Sequence, residues 1–149
     1  MHPALAPLPT TVDETVTDAA GARILTLTAV PAESLLVSRW YGHLDAAAVQ
    51  HASHIALAFV TRHPTLYCSL SDSTHVSGDW LDLLPWLGYE LLPALQQTNI
   101  RAAAFLAPTD PSTRLGITSF TRAAQGVFPA QLFEREADAR RWLTTYAAR

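Results

Sequence analysis

The sequence predicts an α/β domain built on a mixed five-stranded sheet with four helices, in the order ββαβαβαβα. Two observations carry this prediction. Stretches with two-residue hydrophobic alternation, typical of strands, alternate along the chain with stretches that have helical spacing. This alternation of strand and helix begins only after two consecutive strands. Helices that connect successive strands predict parallel pairing, with the helices packed on the sheet. The length of 149 residues suits one domain.

The chain is expected to open with a flexible N-terminal arm over residues 1–20, which is rich in Pro, Thr and Asp. A single domain is expected over residues 21–149. Its predicted elements, in order, are strands 23–30 and 35–43, helix 46–62, strand 65–71, helix 79–97, strand 101–107, helix 111–126, strand 127–133 and helix 134–148.

Local signals support these boundaries. Residues 23–30 alternate polar and apolar positions as a strand does. Asp45 is a favourable N-cap for the first helix, and His63 before Pro64 ends it, because a residue that precedes proline avoids the helical region. Asp110 followed by Pro111 is the matching start of the third helix. The polar stretch 72–78 predicts a loop between the third strand and the second helix.

The composition excludes several classes of function. The net charge is −3, and all ten basic residues are Arg without a basic run, so nucleic acid is not an expected partner. No apolar run approaches the roughly 20 residues of a membrane span. The N-terminus lacks the positive charge of a signal peptide, so we expect a cytoplasmic protein. Cys68 is the one cysteine, and its strand setting predicts a buried structural thiol.

No pattern in the sequence predicts catalysis, a metal or a cofactor. His51 and His54 lie three apart on the first helix, but His43 and His63, near its two ends, are about 30 Å apart at 1.5 Å per residue. No glycine-rich phosphate loop and no Gly-x-Ser-x-Gly nucleophile elbow occurs. Ser, His and Asp side chains do cluster over 71–79, but triads are assembled from separate loops. We therefore predict no enzyme, no cofactor and no metal site.

Several residues resemble those of one fold family. They are Trp40-Tyr41-Gly42 at the end of the second strand, Trp80, Leu92-Pro93-Ala94-Leu95, Phe133 and Ala139-Arg140-Arg141-Trp142-Leu143. With the element order, they resemble the STAS-like fold of anti-sigma-factor antagonists, and more closely a group of small bacterial STAS-like proteins. The resemblance covers roughly residues 21–143 and implies the fold without an activity.

The same resemblance singles out Ser77. Antagonists of this family are phosphorylated on a serine in an Asp-Ser-Ser-Gly-like stretch at the start of the helix that follows the central strand. Here Val76-Ser77-Gly78 is the nearest match, with Ser77 at the serine position and Val76 in place of an acidic residue. The resemblance implies a possible phosphoacceptor, while the simpler interpretation is that Ser77 or Asp79 caps the helix.

The second helix is more apolar than one buried face requires. A stripe able to cover the sheet comprises Trp80, Leu84, Leu87, Leu91 and Leu95. Further large apolar residues lie outside that stripe. The candidate interaction or ligand surface comprises Trp80, Leu81, Trp86, Tyr89 and Leu92. Pro85 and Gly88 predict a kink that would open a groove.

The predicted function is that of a non-catalytic binding module. The first interpretation is protein–protein contact through the second helix, including self-association as a dimer with Trp86 near its centre. The alternative is a carrier or sensor of a small apolar ligand, held in a pocket between that helix and the sheet. An exposed apolar patch would favour the first, and an apolar cavity with one or two polar groups the second.

Overall fold

Six strands form one mixed sheet in the computed structural model, which describes residues 11–147. The strands are β1 (Val12–Thr17), β2 (Arg23–Val30), β3 (Leu35–His43), β4 (Cys68–Ser77), β5 (Ala102–Leu106) and β6 (Ala130–Phe133). Their order across the sheet is their order in the chain. The pairs β1–β2 and β2–β3 are antiparallel, whereas β3 to β6 are parallel. This arrangement confirms the predicted mixed sheet.

Four helical elements connect or follow the parallel strands. They are α1 (Ala46–Arg62), α2 (residues 81–96), α3 (Pro111–Ala124) and α4 (Glu136–Ala147). The first three pack on one face of the sheet, where they share a large apolar core with β2, β3 and β5. The last packs on the opposite face, over a smaller apolar core. Each face of β3, β4 and β5 is therefore covered, as parallel strands require.

The number of strands differs from the prediction, because β1 is an additional strand within the segment predicted as an arm. It forms an edge of the sheet, and Asp13 and Glu14 lie in its middle. Only Val16 of this strand is buried, so hydrophobic alternation gives no signal for it. Backbone pairing with β2 supplies the order instead. The predicted arm residues 1–10 lie outside the described residues.

The strand β4 is also longer than predicted. It runs from Cys68 to Ser77 and includes most of the polar stretch that predicted a loop. Part of this stretch lies inside the protein, where Asp72 pairs with Arg39 of β3 and Ser73 is buried. A polar sequence can thus form a central strand when its charged side chain is paired with one from the neighbouring strand.

The helix α2 is wound irregularly. A 3₁₀ turn (Leu81–Leu83), an α turn (Leu84–Trp86), a π turn (Leu87–Leu91) and an α turn (Leu92–Gln96) follow one another. Pro93 has no N–H to donate to the carbonyl of residue 89, and its ring would clash with that carbonyl in an α turn. The wider π turn avoids this conflict. A change in helix type is therefore present over the stretch where Pro85 and Gly88 predicted a kink.

A glycine substitution tests the connection between β4 and α2. Gly78 has φ +129°, and a Cβ there would overlap the carbonyl oxygen of Leu44. We expect Gly78→Ala to lower the free energy of unfolding by about 3 kcal/mol or more, measured by urea denaturation. Gly88→Ala is the matched control, since a Cβ there meets no atom within 4 Å. Equal losses in the two variants would contradict the packing described.

Candidate functional site

An apolar pocket with a cavity volume of about 120 Å³ lies between α1, α2 and the sheet. Its walls come from helix residues on two sides, from α3 and from the connection between α3 and β6. The walls comprise Val49, Ser53, Ala56, Leu57 and Val60 of α1, Trp80, Leu87, Leu91, Leu92 and Leu95 in and beside α2, and Phe120 and Phe128. The sheet supplies the floor. The pocket thus lies at the place that the second functional hypothesis specified.

Serine side chains form much of the pocket floor. Ser38 lies on β3, and Ser69, Ser71 and Ser73 lie on β4. Side chains alternate between the two faces of a strand, so residues two apart on β4 point to the same face. Ser38 and Ser71 are register partners in the parallel β3–β4 pair. The sheet therefore presents a row of hydroxyls to a cavity that is otherwise apolar.

One of these hydroxyls has a defined partner. The indole Nε1–H of Trp40 donates a hydrogen bond to Ser71 Oγ at 3.2 Å. Both residues line the pocket. Because Ser71 Oγ accepts this bond, its own O–H proton is available for another acceptor.

Three other pocket serines are buried without a side-chain partner. Ser38, Ser53 and Ser73 are each less than one-tenth exposed, and no side-chain hydrogen bond joins them to another residue within 11–147. In the same part of the chain, no fully enclosed side-chain oxygen lacks a partner. These Oγ atoms therefore reach accessible space, and the space that they line is the pocket.

Within residues 11–147, the pocket lining carries no charge. Each lining residue is aliphatic, aromatic or serine. The nearest strong charges on these strands belong to Arg39 and Asp72, which are paired with each other on the opposite face of the sheet. An ionised group in the pocket would therefore meet no countercharge from the residues that line it.

The structure divides the candidate surface residues into two groups. Trp80 and Leu92 are buried, at 6% and 2% exposure, and both line the pocket. These two residues therefore face the pocket and not the solvent. Trp80 reaches that position beneath α3, where its ring contacts the backbone of Gly116 closely enough that a Cβ there would lie 3.3 Å from it.

The other candidate surface residues lie on the outer side of α2. Trp86 is half-buried and meets the ring of His54 on α1 edge-on, with 5.0 Å between ring centroids. Leu81 is also half-buried, whereas Tyr89 is 81% exposed. Trp86 therefore has a packing role within one copy of the chain, and Tyr89 is the residue of this set that faces solvent.

The serine floor was not among the predicted site residues. The signal was present in the sequence as the alternation Ser69-x-Ser71-x-Ser73, with apolar or paired residues between. The prediction treated the last of these serines as part of a loop. The small apolar Ala103 and the large Phe105 of β5, which complete the floor, carry no signal of a site by themselves.

Ser77 ends β4 and does not cap α2. Its Oγ lies 2.9 Å from His43 Nδ1 at the end of the neighbouring strand β3. Asp79, two residues before α2, accepts a hydrogen bond from the Leu81 N–H at 3.1 Å, while the N-cap residue Trp80 makes no side-chain cap hydrogen bond. Phosphorylation of Ser77 stays a prediction from the resemblance.

The Ser, His and Asp residues of 71–79 do not form a constellation. Asp72 and Ser73 point in different directions, since Asp72 pairs with Arg39 and Ser73 lines the pocket. His75 stacks on Tyr41 with 6.4 Å between ring centroids. The register of β4 against β3 also shifts between Asp72 and His75, so groups that are adjacent in the sequence do not converge.

A charged network fastens α4 to the far face of the sheet. Arg39 Nη1 lies 2.7 Å from Asp72 Oδ2 and 2.8 Å from Glu136 Oε1. Arg140 continues the network to Glu136 and to Glu33. The hydrogen bond from Arg39 lowers the pKa of Glu136. Burial alone would raise the pKa of Asp72, but hydrogen bonds from Thr74 and Arg39 outweigh it and lower that pKa.

Residues 11–147 contain neither a cluster of metal ligands nor a membrane-spanning helix. No three His, Cys, Asp or Glu side chains in that range come together as metal ligands. No helix there has both the length and the apolar character of a membrane span.

The comparisons with known proteins yield a structural likeness. No family model and no curated protein matches the sequence. The chain is similar to the crystal structure of an uncharacterized protein of the DUF3478 family from Shewanella loihica PV-4, described as having a SpoIIAA-like fold. Sequence identity is 15%, the TM-score is 0.47, and the alignment covers 93% of this chain and 97% of the other. The described fold is of the STAS-like kind that the sequence resemblance implies.

The charged network predicts a pH dependence of stability. The pKa values of Glu136 and Asp72 are lowered in the folded protein. Their stabilising contribution is complete above the unfolded-state pKa values of about 4 to 4.5, and is lost as the pH falls through the lower folded-state values. We expect Glu136→Gln to flatten the fall in unfolding free energy below about pH 5, measured by urea denaturation across pH. Glu90→Gln, at an exposed position, is the control. A Glu136→Gln profile parallel to wild type would contradict the network's role.

Proposed function

We propose that this domain is a non-catalytic binding module that holds a small, mainly apolar molecule in the pocket between α1, α2 and the sheet. The observation that carries the proposal is a cavity with an apolar lining and a few grouped hydroxyls. Small-molecule sites have this composition, in which apolar surface supplies affinity and a few polar groups fix the orientation.

The chemistry of the lining supports binding over catalysis. General acid–base catalysis needs a titratable group within hydrogen-bond reach of the reacting atoms. A serine nucleophile likewise needs an adjacent base. The lining supplies serine hydroxyls without a His, Asp, Glu, Lys or Cys beside them in the cavity.

The volume of the cavity indicates the size of the occupant. A cavity of about 150 Å³ lined by apolar side chains takes up benzene in another protein. The cavity here, at about 120 Å³, therefore suits a molecule on the order of one six-membered ring. Larger ligands would require the α2 wall to move. That wall contains the π turn Leu87–Leu91, a helix form that is frequent at functional sites.

Filling the cavity tests the proposal. Ala56 lines the pocket from α1, whereas Ala58 lies exposed on the same helix. We expect small apolar compounds to raise the unfolding free energy of wild type and of Ala58→Leu. A ligand at 100 times its dissociation constant gives about 2.7 kcal/mol. Ala56→Leu should lose this stabilisation, because the added side chain occupies the ligand's volume. Thermal unfolding with a panel of single-ring compounds is the measurement.

Two results would contradict the proposal. One is that no compound of the panel stabilises wild type. The other is that Ala56→Leu responds as strongly as Ala58→Leu, which would place the binding elsewhere on the protein. Native mass spectrometry of the purified protein adds an independent reading, since a retained small molecule should be absent from Ala56→Leu.

Self-association through α2 is the second candidate function. The observation that favours it is Tyr89, a large side chain that is 81% exposed on the outer side of this helix. Tyrosine is enriched in interface cores and in binding hot spots, because it buries a large area with few rotatable bonds. We therefore propose Tyr89 as the centre of a two-fold contact between copies of the chain.

Light scattering at micromolar concentrations checks this second proposal. Wild type should scatter light as a dimer. Tyr89→Ser should be a folded monomer, or a dimer whose dissociation constant is roughly thirtyfold higher, which corresponds to a hot spot of about 2 kcal/mol. Leu115→Ser is the control, since Leu115 is 57% exposed on α3. A monomeric wild type excludes self-association through this surface at those concentrations.

A further inference from the structure

We infer that the pocket selects an uncharged molecule with a single oxygen function, an alcohol or a carbonyl, whose oxygen is bound by the serine row of β3 and β4. This inference rests on the proposed function, because it names the class of ligand for the same pocket. It goes beyond apolar binding in two respects: the pocket excludes ionised molecules, and it binds one oxygen atom of its ligand.

The rejection of charge follows from the lining. Transfer of an ionised group from water to an apolar environment is strongly unfavourable unless a countercharge or several hydrogen bonds compensate it. Arg39, the cation nearest along β3, is bound to Asp72 and Glu136 on the far face of the sheet. None of the described residues that line the cavity is charged. A carboxylate or an ammonium would thus lose its hydration without compensation.

The recognition of one ligand oxygen follows from the serine hydroxyls of β3 and β4. Ser38 and Ser71 are neighbours in register, and Ser73 follows on the same face of β4. Ser71 accepts from the Trp40 indole and retains a proton to donate. A ligand oxygen that accepts this proton gives the Ser71 hydroxyl a hydrogen-bond partner. A hydrocarbon ligand would leave that hydroxyl without one. The cost of an unsatisfied buried hydroxyl therefore favours the oxygenated ligand.

The position of the polar groups also fixes an orientation. The serine row lies on the floor that the sheet provides, whereas Leu87, Leu91 and Leu92 form the opposing wall from α2. The oxygen of the ligand would point at the sheet, and its hydrocarbon part would lie against α2. The indole of Trp40 borders the bound oxygen in this arrangement, because it is bonded to Ser71.

Three compounds of similar size provide the test: toluene, benzyl alcohol and benzoate. Each is titrated into wild type at neutral pH, and the Trp40 indole N–H signal is followed by ¹H–¹⁵N NMR. We expect benzyl alcohol to bind about two- to tenfold more tightly than toluene, the range that corresponds to one net hydrogen bond. Benzoate should produce no saturable shift at the concentrations at which benzyl alcohol saturates.

A double variant separates the serine row from the rest of the pocket. Ser38→Ala with Ser71→Ala removes the two register-partner hydroxyls, including the Ser71 O–H that donates to the ligand oxygen, and should reduce the preference for benzyl alcohol over toluene to about one, since that hydrogen bond is lost. Binding of toluene should be retained or increased. Ser112→Ala, an exposed serine at the start of α3, is the control and should keep the preference. Thermal unfolding of each variant verifies that it is folded.

The outcomes distinguish the inference from the proposed function. Equal affinities for toluene and benzyl alcohol, or binding of benzoate, would overturn the ligand class while leaving a binding pocket in place. An unchanged preference in the folded double variant would likewise overturn the role of the serines. Failure of all three compounds to bind wild type would overturn both the inference and the proposed pocket function at this size of ligand.

Discussion

The pocket exists because three strands place small side chains beneath the region where α1, α2 and α3 converge. Ser38, Ser69, Ser71 and Ser73 share this face of the sheet with Ala103. Interiors of proteins are packed at the density of organic crystals, so branched side chains at these positions would fill the space. Helix residues such as Leu87 approach from above but do not reach the floor. The cavity is thus a property of strand residues, although the helices supply most of its apolar surface.

The opposite face of the same strands is filled. Cys68 and Leu70 pack with Leu143 of α4, and the Cys68 Sγ lies 3.5 Å from the Leu143 carbonyl oxygen. Burial raises the pKa of the Cys68 thiol, as expected for a structural cysteine. The charged groups of the central strands are collected at the margin of this face, around Arg39. The alternation of β3 and β4 thereby separates the ionic interactions of the domain from its uncharged cavity.

Most of the fold could be predicted from local signals. The bounds of α1 follow from Asp45 and Pro64, whose effects act within a few residues. The strand β1 could not be predicted, because an edge strand held by backbone pairing has no hydrophobic pattern. The polar half of β4 was assigned to a loop because its partners, Arg39 above all, are remote in the sequence. A pocket between the second helix and the sheet was predicted, but its serine floor was not, since that floor depends on residues of several elements that are remote in the sequence.

The π turn of α2 limits where a residue can be deleted from this chain. A π turn closes its hydrogen bonds over one residue more than an α turn, so it amounts to a one-residue insertion in the helix. Removal of one residue within 87–91 would require an α turn in place of the π turn, and the ring of Pro93 would then clash with the carbonyl four residues before it. If the π turn were kept after such a deletion, Leu92 and Leu95 would be rotated by about 100° around the helix axis and would leave the cavity wall. The spacing between the two ends of α2 is therefore part of the site, and homologues that retain the pocket should retain this number of residues.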